Sequence, residues 1–161
     1  MKTQLLLFLL TISLFSFAQN GNKSIDKTMD EIITPNDSYF EVTRDMFRML
    51  SESQEASPEF TEYIKKLHSL KMIEPGEVSD NHGIVLVNSF LENANLQSFT
   101  LLMTRKEKNE IMSFYKKEGK SENEFLLLSS DMIIYITGTI NLKSIQEFQQ
   151  VMEIAGSAME M

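Results

Sequence analysis

Four runs of apolar, branched and aromatic residues in the second half of the chain constrain the fold most. They cover residues 97–104, 110–116, 124–129 and 132–139. Runs of this composition predict β-strands, and the short polar separators between them predict hairpins. The last run begins with consecutive apolar residues, which favours a central strand covered on both sides. The sequence therefore predicts a four-stranded antiparallel meander.

Helical patterns dominate the first half of the chain. An apolar stripe on one helix face falls within residues 43–53 and is formed by Met46, Phe47, Met49 and Leu50. The triplet Ser57-Pro58-Glu59 is typical of a helix start, and the apolar spacing extends that helix to about Leu70. Short strands are predicted at residues 39–42 and 71–73.

A further helix is predicted over residues 82–93, with Asp80 or Asn81 as its N-cap, because the segment is longer than most strands. Residues 84–87 are also typical of a strand, so both alternatives stay open. A last helix is predicted between Asn141 and Gly156. Early helices, a strand meander and a closing helix indicate the α+β class, with helices packed against one face of the sheet.

The first residues have the organisation of a secretory signal peptide. Lys2 precedes an apolar run at residues 5–17, which is too short to cross a bilayer. The run ends in the small-x-small pattern Ser16-Phe17-Ala18. We therefore expect cleavage after Ala18 and export to the periplasm or to the exterior.

The rest of the chain divides into three predicted parts. Residues 19–38 are polar and predict a tether that holds a short helix over residues 24–33. Residues 39–156 predict a single domain, and residues 157–161 a frayed tail.

The absence of cysteine excludes disulfides, thiolate metal sites and a cysteine-linked lipid anchor. A formal net charge of −8 repels phosphates, so we expect no nucleic-acid partner.

The residues that could carry chemistry match no familiar catalytic pattern. They comprise two histidines and two carboxylate pairs, namely His68, His82, Glu59 with Glu62, and Glu122 with Glu124. The histidines are interpreted as structural, and the carboxylate pairs suit acid–base chemistry only where burial raises one pKa. We therefore assign no catalytic, cofactor-binding or metal-ligating residue and expect no cofactor.

Metal and sugar sites have only weak signals. The loop at residues 74–81 is rich in oxygen ligands but lacks EF-hand spacing, so it is interpreted as a solvated turn rather than a calcium site. Methionine can bind Cu(I), but five methionines fall on apolar stripes and are interpreted as core: Met46, Met49, Met103, Met132 and Met152. The chain has no Trp for sugar stacking, a role that its tyrosines can take: Tyr39, Tyr63, Tyr115 and Tyr135.

The order of these features resembles the exported proteins grouped as domain of unknown function 4252. The likeness rests on the signal peptide and on three stretches of this chain: residues 40–50 with Met46-Phe47, Tyr63-Ile64-Lys65-Lys66-Leu67, and Ile-Tyr-Ile-Thr-Gly-Thr-Ile-Asn-Leu at residues 134–142. It covers residues 40–156. The resemblance implies an envelope protein tied to surface maintenance or envelope-stress regulation, and it transfers no site residue.

Two functions are compatible with this sequence. The first is a non-enzymatic binding or protein-interaction module whose partner is another envelope protein. The alternative is a small-ligand carrier or hydrolase with a pocket between the helices and the sheet. A closed apolar pocket with convergent polar groups would favour the alternative, whereas an exposed apolar patch would favour the interaction module.

Overall fold

The computed structural model describes residues 23–52, 58–107 and 110–142. The predicted signal peptide, last helix and frayed tail therefore lie outside the described residues. The helices are α1 Ile25–Ile32, α2 Arg44–Ser51, α3 Pro58–Ile64 and α4 His82–Asn93. The strands are β1 Ser38–Thr43, β2 Leu67–Glu74, β3 Thr100–Glu107, β4 Glu110–Glu118, β5 Asn123–Ser129 and β6 Ile133–Gly138.

One antiparallel sheet organises the fold, with the strand order β1-β2-β6-β5-β4-β3. The strands β3 to β6 form the predicted meander, and the α+β class is confirmed. The prediction that the sheet consists of the four meander strands is wrong, because in the described part of the chain β1 and β2 join it and give six strands. β1 pairs with β2 from Ser38 opposite Glu74 to Thr43 opposite Ser69, and β2 then pairs with β6. The first pairing spans α2 and α3 and the second spans α4 and the strands β3 to β5, so neither can be predicted from a local sequence pattern.

The helix predicted to reach Leu70 ends at Ile64, and Leu67 already belongs to β2. The sheet register shifts between Leu67 and Ser69 where β2 meets β6. An irregularity of this kind inserts an extra residue and breaks the two-residue alternation of a strand. Leu67 and Leu70 are thereby buried in the same core cluster although they lie three residues apart. Their spacing imitates a helix, which explains the wrong prediction.

Helices cover both faces of the sheet, so the prediction that they pack on one face is wrong. On one side, Phe47 of α2 and Ile64 of α3 pack with Phe125 and Ile134. We call this side the α2/α3 face. The opposite side, the α1/α4 face, is buried by other residues, which include Ile25, Met29, Phe90, Leu126 and Ile133. Because β6 contributes buried side chains to both clusters, the prediction of a central strand covered on both sides is confirmed.

The helix predicted within the polar tether is present as α1 and packs on the domain. Its Ile25, Met29 and Ile32 are buried, and the Ser24 hydroxyl caps it by accepting a hydrogen bond from the Lys27 N–H. The backbone of Lys23 also pairs with the residues after α4, accepting a 2.8 Å hydrogen bond from the Asn95 N–H. Residues 23–38 therefore belong to the packed structure.

Helix α4 resolves the ambiguity at residues 82–93 in favour of a helix. In α2, by contrast, the predicted stripe is only partly buried, because Met46 and Met49 are 48% and 68% exposed. Phe47 and Ser51, one helical turn apart, are the buried residues of this helix. The interpretation of Met46 and Met49 as core is therefore wrong. No helix in the described part of the chain is long and apolar enough to cross a membrane.

Gly138 lies where β6 ends and passes close to the residue before β2. A Cβ at this position would lie 2.2 Å from the Lys66 carbonyl oxygen, which accepts a 2.8 Å hydrogen bond from the Thr139 N–H. We expect Gly138→Ala to lower the free energy of unfolding by about 1–2 kcal/mol, because the backbone must move apart. Urea unfolding measures this change. Exposed Thr139→Ala is the control, and an equal loss in both variants would contradict the close approach as the cause.

Candidate functional site

A polar cleft of about 520 Å³ opens on the α1/α4 face, between the sheet, the start of α1 and the segment that follows α4. The strands contribute Ser69, Lys117, Glu124, Tyr135 and Thr137, and the surrounding segments contribute Ser24, Ile25, Asp26, Asn95, Ser98, Phe99 and Glu122. We call this set of residues the polar cleft. It is open and mostly polar, unlike the closed apolar pocket that would identify a carrier.

The floor of the polar cleft is a row of polar side chains across four neighbouring strands. Ser69 lies opposite Thr137, Thr137 opposite Glu124, and Glu124 opposite Lys117. Residues that face each other across a sheet interact directly. The Ser69 and Thr137 hydroxyls are 3.0 Å apart, and Lys117 Nζ donates to Glu124 Oε1 at 2.6 Å. The sheet register therefore builds this row.

Tyr135 holds Glu124, one of the polar side chains of the floor, in place. Its hydroxyl donates a 2.6 Å hydrogen bond to Glu124 Oε2, and its side chain is buried in the α1/α4 core. Burial, followed by this hydrogen bond and the negative charge of Glu124, raises the pKa of Tyr135 far above its ordinary value. Tyr135 therefore stays neutral and acts as a hydrogen-bond donor, while Glu124 is held between the phenol and Lys117.

The walls of the cleft carry their own ion pairs. Lys71 Nζ lies 2.8 Å from Asp26 Oδ1; burial alone would lower the pKa of Lys71, but the Asp26 carboxylate raises it. Lys117 Nζ also lies 5.6 Å from the centre of the Phe99 ring, within the range of a cation–π interaction. The charged side chains of the cleft are therefore already engaged with partners in this chain.

Glu122 and Glu124 lie at this site, and His68 contacts Glu122 from outside the set of residues that line the cleft. His68 lies on β2 rather than on a helix, and its Nδ1 is 2.9 Å from Glu122 Oε2. Glu122 and Glu124 both line the cleft, yet each is held by a different partner. They are therefore not a carboxylate pair that shares one proton. Of the other predicted carboxylate pair, Glu62 forms an exposed salt bridge with Lys66. The side chain of Glu59 is not among those that the structure describes.

His82 belongs to a separate, structural cluster. Its Nε2 is 2.7 Å from Oδ1 of Asp37, whose side chain is fully buried. Asp37 also accepts hydrogen bonds from the Gly76 N–H at 3.0 Å and from the N–H and hydroxyl of Thr34, both at 2.8 Å. Gly76 is required there, because a Cβ would lie 1.9 Å from the Asn36 carbonyl oxygen. This cluster, which we call the Asp37 clasp, joins the turns that flank β1 and β2 to the start of α4.

In the parts of the chain that the structure describes, no three His, Asp or Glu side chains are grouped so that they could hold a metal ion. In the loop at residues 74–81, the Gly76 N–H binds Asp37, and Glu77 and Asp80 are exposed. The cleft residues Ser69 and Thr137 were not singled out from the sequence, where Lys117 is interpreted only as part of a basic, solvated turn. The predicted β4–β5 hairpin could have placed Lys117 near Glu124, whereas Ser69 depends on the unforeseen pairing of β2 with β6.

Comparison with known proteins identifies the family of this chain but assigns it no chemical activity. The chain has no match among curated proteins or among solved structures. A family model described as Domain of unknown function (DUF4252) matches residues 34–148, which is more than half of the chain. The resemblance noted from the sequence is thereby confirmed, and the chain belongs to the DUF4252 family.

Proposed function

We propose that this protein is an exported, non-enzymatic binding module of the cell envelope and that the polar cleft is its binding site. The observation that carries the proposal is the state of the cleft's charged groups. Asp26, Glu122 and Glu124 are each held by a cationic or histidine partner of the same chain. Such a site presents fixed polar groups to a ligand, which suits recognition.

Catalysis would need a different arrangement. A general base must reach a substrate proton and have a pKa near the working pH. The pKa of Tyr135 is raised away from that range, and Glu124 is committed to Tyr135 and Lys117. We therefore expect no turnover in a screen of ester, peptide and glycoside substrates. Turnover that disappears in the His68→Ala variant would contradict the proposal.

Export is supported by the apolar run at residues 5–17 and by the Ser16-Phe17-Ala18 pattern. We expect the protein from fractionated cells to occur outside the cytoplasm and to begin at Gln19. N-terminal sequencing and fractionation measure both points. An intact N-terminus in the cytoplasmic fraction would contradict export.

A second candidate surface for a protein partner is the edge strand β3. Leu101 and Leu102 on this strand are 49% and 44% exposed, and the outer side of β3 pairs with no described strand. An open strand edge with apolar side chains can accept an extended segment of another protein. It is the alternative route by which the module could engage an envelope protein.

A pull-down from envelope extract, with the chain from Gln19 onward as bait, tests these surfaces. We expect capture of an envelope component that weakens in the cleft variant Thr137→Val and persists in the edge variant Leu102→Lys. The reverse pattern would assign the interaction to β3. Capture that is equal in both variants and in the unaltered protein would contradict a role for either surface.

A further inference from the structure

We infer that the polar cleft binds an uncharged, polyhydroxylated ligand, namely a short stretch of neutral glycan. This inference rests on the proposed binding function and specifies its ligand class. It follows from three properties of the cleft: the mixture of hydrogen-bond donors and acceptors, the internal pairing of its charges, and its size and aromatic wall.

The first property is the mixture of donors and acceptors. The Ser24 hydroxyl oxygen accepts from the Lys27 N–H, and the Asn95 side-chain oxygen accepts from the Gln97 N–H, which leaves the hydroxyl hydrogen and the amide group as donors. Asp26 and Glu122 each use one carboxylate oxygen in their ion pairs, and the second oxygen can accept. A sugar hydroxyl both donates and accepts, so neighbouring sugar hydroxyls match this alternation.

The second property is the pairing of charge. An anionic ligand would meet three carboxylates, those of Asp26, Glu122 and Glu124. A cationic ligand would compete with Lys71 or Lys117, whose side chains are only 14% and 34% exposed and already lie within 2.8 Å of their carboxylate partners. A charged ligand that breaks one of these partly desolvated ion pairs loses binding free energy, whereas a neutral ligand leaves the ion pairs in place. Hydroxyl groups can instead use the remaining lone pairs while every ion pair stays intact.

The third property is the shape of the site. A cleft of about 520 Å³ lies within the size range of small-molecule sites and is long enough to cross four strands of the sheet. Phe99 adds a half-buried aromatic ring to its wall. The exposed part of the ring that Lys117 does not cover offers an apolar surface to the C–H groups of a sugar ring, while the polar floor meets its hydroxyls. A glycan has both kinds of surface.

Binding to an array of neutral oligosaccharides tests the inference, followed by calorimetric titration of the best binder. The comparison probes are trigalacturonate as an anion, a glucosamine trimer as a cation and N-acetyl-trialanine amide as a neutral peptide. We expect at least one neutral glycan to bind and each comparison probe to bind at least tenfold more weakly. Thr137→Val and Ser69→Ala should each weaken binding of the neutral glycan about tenfold, because each removes a hydroxyl from the floor.

Thr104→Val is the matched control. Thr104 is also a strand threonine whose hydroxyl lies near a serine, at 3.3 Å from that of Ser113, but it does not line the cleft. We expect its glycan affinity and thermal unfolding to match those of the unaltered protein. Loss of binding in Thr137→Val without loss of the folded circular dichroism spectrum supports the inference, and an equal loss in Thr104→Val overturns it.

The array also separates this inference from the proposed function. If no neutral glycan binds, or if a charged probe or the peptide binds more tightly, the ligand class is wrong. Cleft-dependent capture of an envelope component in the pull-down would then still support the binding module. Failure of both experiments would overturn both proposals.

Discussion

Replacing Phe125 by alanine is expected to lower the free energy of unfolding by about 3–5 kcal/mol, the range for a large aromatic residue removed from a packed core. Phe125 is 0% exposed and lies on β5 between β6 and β4. Its ring stacks on that of Phe114, with the centroids 6.2 Å apart and the planes inclined by 16°. Both rings belong to the cluster that also holds Phe47 and Ile64, so alanine leaves a cavity between the sheet, α2 and α3.

Chemical unfolding followed by circular dichroism measures this loss. The control is Leu101→Ala on the edge strand, where the side chain is 49% exposed and we expect a change of about 0.5 kcal/mol or less. If Phe125→Ala still gave too little folded protein, Phe125→Leu should show an intermediate loss. A Phe125→Ala effect as small as that of the control would contradict the packing of the α2/α3 face.

The predictable part of the fold is the part built from local signals. The meander from β3 to β6 follows from short polar separators, which leave a chain little choice but to turn back beside the preceding strand. The helix α4 follows from its length, because twelve residues exceed a common strand. These elements carry their pairing or their length in contiguous sequence, so periodicity is enough to find them.

The remaining elements depend on distant partners. The edge strand β1 pairs with β2, and two helices separate these strands in the sequence. The register shift at Leu67 and Ser69 interrupts the two-residue alternation of β2, so its first half could not be recognised as a strand from the sequence. The segment that contains α1 is polar in sequence and therefore predicts a tether. In the structure, however, α1 packs on the domain and its Met29 side chain is 0% exposed. Such burial is decided by tertiary contacts and overrides local composition.

The candidate site shows the same division. The spacing of Glu122 and Glu124 was visible in the sequence, but the roles of these residues depend on what faces them. Glu122 meets His68, which is 54 residues earlier in the chain. Glu124 meets Tyr135 and Lys117 through the register of three strands. A list of acidic residues therefore predicted neither the ion pairs nor the cleft, because both arise from the order of strands in the sheet.

The Asp37 clasp leads to the second large prediction, that Asp37→Asn lowers the free energy of unfolding by about 2–3 kcal/mol near neutral pH. Each carboxylate oxygen of Asp37 accepts a backbone N–H, from Gly76 on one side and from Thr34 on the other. The amide group of asparagine must replace one of these oxygens by a donor. In either orientation of the asparagine side chain, its NH₂ group faces the backbone N–H of Gly76 or that of Thr34, and that backbone N–H loses its hydrogen bond.

The loss should also depend on pH in a defined direction. Burial by itself raises the pKa of Asp37, but the hydrogen bonds from Gly76, His82 and Thr34 outweigh burial and lower the pKa from 3.8 to about 2. Because the folded-state pKa is the lower one, the stabilisation is fully present above about pH 4 and is lost as the pH falls through about 2. A shift of this size corresponds to about 2 kcal/mol.

Unfolding free energies measured from pH 7 down to pH 2 therefore give the decisive comparison. We expect the difference between the unaltered protein and Asp37→Asn to stay constant above about pH 4 and to shrink by about 2 kcal/mol towards pH 2. Glu62→Gln is the control, because it removes a carboxylate that is 72% exposed and pairs with Lys66 on the surface. A difference for Asp37→Asn that does not narrow at low pH would show that the carboxylate charge adds nothing to the clasp, and that shape alone holds the turns together.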